Sequence, residues 1–161
     1  MTDVKKLWAP WRAAYLRPAA GRRKTRGCIF CAAVNDPRAN MVFASSKEAF
    51  AVLNIYPYNN GHVMVAPRRH VADIGGLSAE EADGLFSLLR DVRLLLKTKL
   101  GPEGFNIGIN EGRAAGAGIP GHLHIHVVPR WIGDTNFMPA TSGTKVIPQS
   151  LQELLELLKK K

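Results

Sequence analysis

The chain has 161 residues, 46% of them hydrophobic, with 15 Gly, 10 Pro, 2 Cys and a formal charge of +9. About 150 residues bury roughly 70% of their unfolded surface, so one domain with a real core is expected, and disorder, collagen and a disulfide scaffold are poor readings. Residues 1–26 hold eight Lys/Arg against one acid, whereas 27–158 hold 11 basic and 12 acidic residues, so the charge sits in the tails and a nucleic-acid-binding body is disfavoured.

In chain order, residues 1–27 read as an arm expected to pack through Trp8, Trp11 and Tyr15 and then loosen into a basic loop from Gly21 to Gly27, ahead of a domain over 28–161. The start lacks an apolar h-region, and no signal peptide is expected. Cys28-Ile29-Phe30-Cys31 is a CxxC. Alone it supplies two of the four ligands a tetrahedral zinc needs, and it equally suits a redox pair or a plain turn. Segments 48–54 and 61–66 read as strands joined by Ile55 to Asn60, where Pro57, Asn59 and Asn60 supply turn chemistry.

Ser78-Ala79-Glu80-Glu81 is a capping box that opens a helix over 79–99. Leu85, Leu88, Leu89, Val92, Leu95 and Leu96 recur at three- and four-residue steps as one apolar face, and Gly101-Pro102 closes the segment. Leu94 and neighbouring apolar residues offer a second face. Arg90, Asp91 and Arg93 break the greasiest stretch, so no membrane helix of ~20 apolar residues is expected. Segments 105–110 and 122–129 alternate as strands do, and Ser150-Leu151-Gln152-Glu153 caps a short amphipathic helix. Strands joined by short turns cannot be parallel neighbours, so the expected fold class is α+β, an antiparallel sheet with helices on one face.

His122, His124 and His126 alternate with Leu123, Ile125 and Val127. Period two puts the imidazoles on one face, as a surface patch, and the aliphatic residues on the other, towards the core. Such a row can bind metal or act on an electrophile; a neutral imidazole attacks through one nitrogen while a carbonyl holds the proton on the other. The preceding loop carries Gly112, Gly116, Gly118 and Gly121, whose backbone N–H groups could cradle a phosphate, and phosphorus is the natural electrophile.

The run His122-Leu123-His124-Ile125-His126-Val127-Val128 resembles the motif of the histidine triad (HIT) superfamily. The resemblance extends from residue 28 to about 138. Trp8 to Arg12, Leu53 to Asn59 and Pro129 to Phe137 are similar to its bacterial diadenosine tetraphosphate phosphorylase-like branch. The resemblance implies a sheet of about five strands with a long helix and a short C-terminal helix, and a homodimeric enzyme acting on the α-phosphate of a nucleotide or dinucleoside polyphosphate; with neither signal peptide nor membrane helix expected, the default location is cytoplasmic. It makes His124 the nucleophile that carries a nucleotidyl group and His126 the phosphate and leaving-group contact. It assigns nucleotide contacts to Asn54, His62 and Asn110, with Gly116 and Gly118 in the phosphate loop. Asn54 stands where many members have an Asp, and the loop lacks their usual hydroxyl at Ala117 to Gly121.

Zinc-binding relatives complete the CxxC with two histidines, so the implied metal set is Cys28, Cys31, His70 and His122, with Zn2+ structural and no organic cofactor. Rival readings are hydrolysis of adenylate phosphoramidates or short dinucleoside polyphosphates, a nucleotide-binding module without turnover, and RNA association through the basic arm.

Overall fold

The computed structural model describes residues 27–135 and 147–160. The expected packing of Trp8, Trp11 and Tyr15 falls outside them. Helix α1 (Ile29–Asn35) leads to strands β1 (Val42–Ser45), β2 (Ala49–Leu53) and β3 (Val63–Pro67), then helix α2 (Ala79–Leu100). Strands β4 (Gly104–Ile109) and β5 (Ile125–Arg130) follow, and helix α3 (Leu151–Lys159) ends the fold. The five strands form one sheet in the order β1-β2-β3-β5-β4, with every neighbouring pair antiparallel. The expected α+β class, the long helix and the C-terminal helix all hold.

Helix α2 begins and ends as its sequence dictates. Ser78 accepts from the Glu81 N–H while the Glu81 carboxylate accepts from the Ser78 N–H, closing the capping box. Gly101 takes the left-handed conformation at φ 60° and stops the helix. Its apolar stripe, including Leu85, Leu89, Val92 and Leu96, packs on Ala51, Val65 and Val127 of the sheet, and Leu154, Leu155 and Leu158 of α3 close the same core.

The other face of the sheet departs from the expectation of helices on one side only. Phe30 and Ala33 of α1 cover Val42, Phe50, Val52, Met64 and Ala66 there, in a second, smaller cluster. All five residues of β2 and of β3 are therefore buried, which explains why segments 48–54 and 61–66 lack a polar alternation. Neither α1 nor β1 is announced by periodicity, because seven and four residues are too few to display a period.

Arg69 grips Glu81 with two hydrogen bonds of 2.7 and 2.6 Å and also donates to the Gly76 carbonyl, which ties the end of β3 to the start of α2. Its guanidinium, helped by the Ser78 N–H, lowers the Glu81 pKa to about 2. A carboxyl depressed in the folded state stabilises the fold above its unfolded pKa, and that stability disappears as pH falls through the folded one. Acid titration of thermal stability is expected to show a loss between pH 4.5 and 2 that is smaller in Glu81→Gln; an identical loss in both proteins removes this pair from the account.

Candidate functional site

The site is built where α1, the β2–β3 loop and the start of β5 meet. Strand β5 begins at Ile125, later than the expected 122–129, since His122, Leu123 and His124 lie ahead of the ladder. The alternation nevertheless persists. Leu123, Ile125 and Val127 enter the main core, while the Phe30 ring centroid lies 5.1 Å from that of His122 and 4.9 Å from that of His124 on the opposite side. The expected open patch is corrected: His122 and His124 are 0% and 4% exposed, because α1 lies over them, and only His126 is half-buried.

Two hydrogen bonds define the first two tautomers. The His122 ring meets the Pro67 carbonyl through Nε2 at 2.9 Å, and the His124 ring meets the His122 carbonyl through Nδ1 at 2.8 Å. A carbonyl only accepts, so each of those nitrogens carries the proton. His122 is left with its lone pair on Nδ1 and His124 with its lone pair on Nε2. Burial pushes the pKa of both below the usual imidazole value, which keeps them neutral at physiological pH. A neutral imidazole whose one N–H is anchored to the backbone keeps a lone pair on the other nitrogen, the state that nucleophilic attack requires.

The third tautomer follows by the same logic across the sheet. The Tyr58 backbone N–H donates to His62 Nδ1 at 2.9 Å, so the His62 proton resides on Nε2. That nitrogen lies 3.0 Å from His126 Nδ1 and donates to it. His126 in turn bears its proton on Nε2, as a donor. The Tyr58 ring stacks on His126 at 5.6 Å and 29°, and contacts His62 at 4.5 Å. Asn54 stands beside this pair, with Nδ2 3.3 Å from His62 Nδ1 and its Oδ1 accepting from the Tyr56 N–H at 2.9 Å.

Gly61 makes the short β2–β3 turn possible. Its φ is +73°, and a Cβ there would stand 2.6 Å from Leu100 Cδ1 and 2.9 Å from Pro129 Cγ. The Gly-rich loop before His122 closes on itself, with the Gly116 N–H donating to Arg113 O at 3.0 Å and the Ala117 N–H to Gly112 O at 3.2 Å. Gly118 lies in the same loop, and Asn110 directly follows β4 on the strand beside β5.

Cys28 and Cys31 are the N-cap and third residue of α1, a spacing that turns both thiols to the same helix end. Cys28 Sγ lies 3.3 Å from His122 Nδ1, and Cys31 Sγ lies 3.3 Å from His70 Nδ1 and 3.7 Å from His122 Nδ1. All four ligand atoms fall within 4.8 Å of one another. Tetrahedral zinc with Zn–S of about 2.3 Å and Zn–N of about 2.0–2.1 Å implies N···S edges of about 3.6 Å. The donor set, the spacing and the free Nδ1 lone pair of His122, held by its Pro67 contact, therefore fit a metal ion. Burial first, then the neighbouring Cys28, holds the Cys31 thiol above its ordinary pKa, so loading the cluster releases protons.

Sequence reasoning missed Phe30 and Tyr58, the two rings that wall the histidines, and the carbonyl of Pro67. It also missed Arg130 and Asp134, which pair at 2.6 Å; opposite charges four residues apart beyond the triad were the available signal.

Three imidazoles in a row at an antiparallel sheet, the first of them shared with a Cys2His2 cluster, define a class of histidine-centred sites. The family model described as HIT domain matches residues 37–131, and the chain belongs to the HIT domain family. Among its relatives it is 39% identical over 163 residues to a Mycobacterium tuberculosis protein named AP-4-A phosphorylase, a match covering 97% of this chain and 83% of that one. The fold resembles a crystal structure of a Zn-bound histidine triad family protein from Mycobacterium smegmatis, with a TM-score of 0.67 and 27% identity over 83% of this chain and 91% of the other. It also resembles a hypothetical histidine triad nucleotide-binding protein from Sulfolobus tokodaii, with a TM-score of 0.69 and 25% identity over 82% and 89% of the two chains.

Proposed function

We propose that this protein cleaves dinucleoside polyphosphates through a nucleotidyl group carried on His124, and that it is a phosphorylase converting diadenosine tetraphosphate and phosphate to ADP and ATP. The observation that carries the chemistry is the 2.8 Å bond from His124 Nδ1 to the His122 carbonyl, which leaves Nε2 as the attacking atom. The likeness to a phosphorylase supports the choice of acceptor.

His124 Nε2 attacks the α-phosphorus, forming a P–N bond as the bond to the leaving oxygen breaks. His126 gives its Nε2 proton to that oxygen, or hydrogen-bonds it as charge develops. Inorganic phosphate then attacks the same phosphorus, the P–N bond breaks and neutral His124 is restored. Asn54, His62, Asn110 and the loop bearing Gly116 and Gly118 surround the transferred nucleotide in this reading. With the Gly116 N–H taken inside the loop, the phosphate contacts come from its other N–H groups.

Cys28, Cys31, His70 and His122 would hold a zinc ion, which when bound supplies a structural cross-link. A cytoplasmic setting, where thiols stay reduced, suits that pair; among the described residues no helix is long and apolar enough to cross a membrane. A homodimer is supported by Phe86 and Leu94 on α2 and Ile107 on the edge strand β4, which are 61%, 60% and 46% exposed.

The test uses diadenosine tetraphosphate with labelled inorganic phosphate. Label in the β-phosphate of ADP, with equal ATP, is the expected product pattern. AMP with unlabelled products indicates water as the acceptor and hence a hydrolase; binding without products leaves a nucleotide-binding module.

A further inference from the structure

The reading above employs the half of the substrate whose α-phosphorus meets His124, and leaves the departing half without a seat. Alternation puts His126, Val128 and Arg130 of β5 on one face, where Gly108 lies opposite His126 and Asn106 opposite Val128 on β4. Beyond His126 on that face is a groove of about 260 Å³, lined by Tyr58, Asn106, Val128, Arg130, Asp134 and Thr135. Tyr58, which stacks on His126, is the shared wall, so the groove opens directly off the proton donor.

We propose that this groove seats the departing nucleoside of a dinucleoside polyphosphate, with Arg130 and Asn106 determining that specificity; the proposal rests on the dinucleotide-cleaving reading. The groove's chemistry selects the ligand. Arg130 donates through Nε and Nη2 to Asp134 at 2.6 and 2.7 Å, and through Nη1 to Asn106 Oδ1 at 2.7 Å. The guanidinium holds the Asp134 carboxyl well below the usual carboxylate range, so the pair is ionised and its charges cancel. For Arg130 to form a phosphate subsite, its charge would have to be uncompensated and its donors turned to the ligand. Here the arginine's charge is already answered, and what remains is an uncharged floor of hydrogen-bonding groups beside an aromatic wall, which suits a nucleoside.

The floor is also preformed. Asn59, itself buried, donates to Asp134 Oδ2 at 2.7 Å and to the Pro129 carbonyl at 3.1 Å, and the Trp131 N–H donates to Asp134 Oδ2 at 3.1 Å. The same Asn59 adjoins Tyr58, so the network that shapes the groove also anchors the loop carrying its wall. A rigid floor lowers the ordering cost of binding. Its volume lies just below the range of about 300–1,000 Å³ that takes whole drug-sized ligands, which matches one nucleoside better than a complete dinucleotide.

The test compares two substrates of the whole protein: diadenosine tetraphosphate, and adenosine 5′-phosphoramidate, whose leaving group has no second nucleoside. Asn106 is exposed on the edge strand, and Asn106→Trp fills the groove from its rim. The ratio of kcat/KM for the dinucleotide to that for the phosphoramidate is expected to fall about tenfold or more, mainly through KM. An unchanged ratio overturns the proposal while leaving the dinucleotide-cleaving reading intact. Should Asn106→Trp fail to fold, Thr135→Trp, at an exposed lining residue outside the sheet, makes the same comparison. Turnover of neither substrate by the unmodified protein overturns the underlying reading and this role of the groove with it.

Discussion

Replacing His124 with alanine is expected to lower turnover of diadenosine tetraphosphate by about 10³-fold or more, the scale of losing a nucleophile rather than a contact. The reason lies in how completely its lone pair is prepared. The proton is held on Nδ1 by the His122 carbonyl, burial keeps the ring neutral, and Phe30 and His126 confine it with ring centroids 4.9 Å away on either side. No other imidazole in the row has the same freedom. His122 is turned with its lone pair towards the cysteines, and His126 receives a hydrogen bond from His62. Because alanine leaves a void, His124→Gln, closer in volume, separates lost chemistry from lost packing. Rapid quench with α-labelled substrate should trap label on the unmodified protein as an acid-labile, alkali-stable phosphoramidate, and on neither variant. Activity of both variants within tenfold of the unmodified protein eliminates His124 as the nucleophile.

The second large effect is expected from the cysteine pair. In the double variant Cys28→Ser, Cys31→Ser, half of the ligand set is lost, and bound zinc should fall from about one per chain to near zero by metal analysis. An ion present at 1,000 times its dissociation constant stabilises the folded state by about 4 kcal/mol. At about 2–4 °C per kcal/mol for a chain of this size, Tm should drop by about 8–16 °C, and a chelator should reproduce the shift in the unmodified protein. The consequence reaches the nucleophile through one residue. His122 offers Nδ1 to the cysteines, donates from Nε2 to Pro67 and gives its carbonyl to His124, so loosening its ring disturbs the group that sets the His124 tautomer. Metal-free protein with an unchanged Tm would refute a structural ion at this cluster.

Much of this architecture was legible in the sequence, for reasons that are local. A capping box acts across three residues and a helical stripe across a few turns, so Ser78, Glu81 and Gly101 delimit α2 without reference to anything distant. Alternation is equally local, and it correctly divides His122, His124 and His126 from the core residues between them. The CxxC shows where that kind of reading stops. Its two thiols gain partners only because His70 and His122, 39 and 94 residues from the cysteines they contact, are carried to the same helix end by β3 and by the approach to β5. The insertion of β5 between β3 and β4 likewise depends on pairing between strands far apart in the chain, and no short segment encodes it.

The sequence by itself therefore determined the residue types, their spacing and the faces they occupy, since these follow from backbone periods of two and 3.6. Only the tertiary structure decided which ring nitrogen of each histidine carries the proton, that α1 buries two of the three imidazoles, and that Arg130 is neutralised by Asp134 beside an open groove. Protonation and burial depend on whatever stands within a few ångströms across the sheet, and long-range packing alone brings those atoms together.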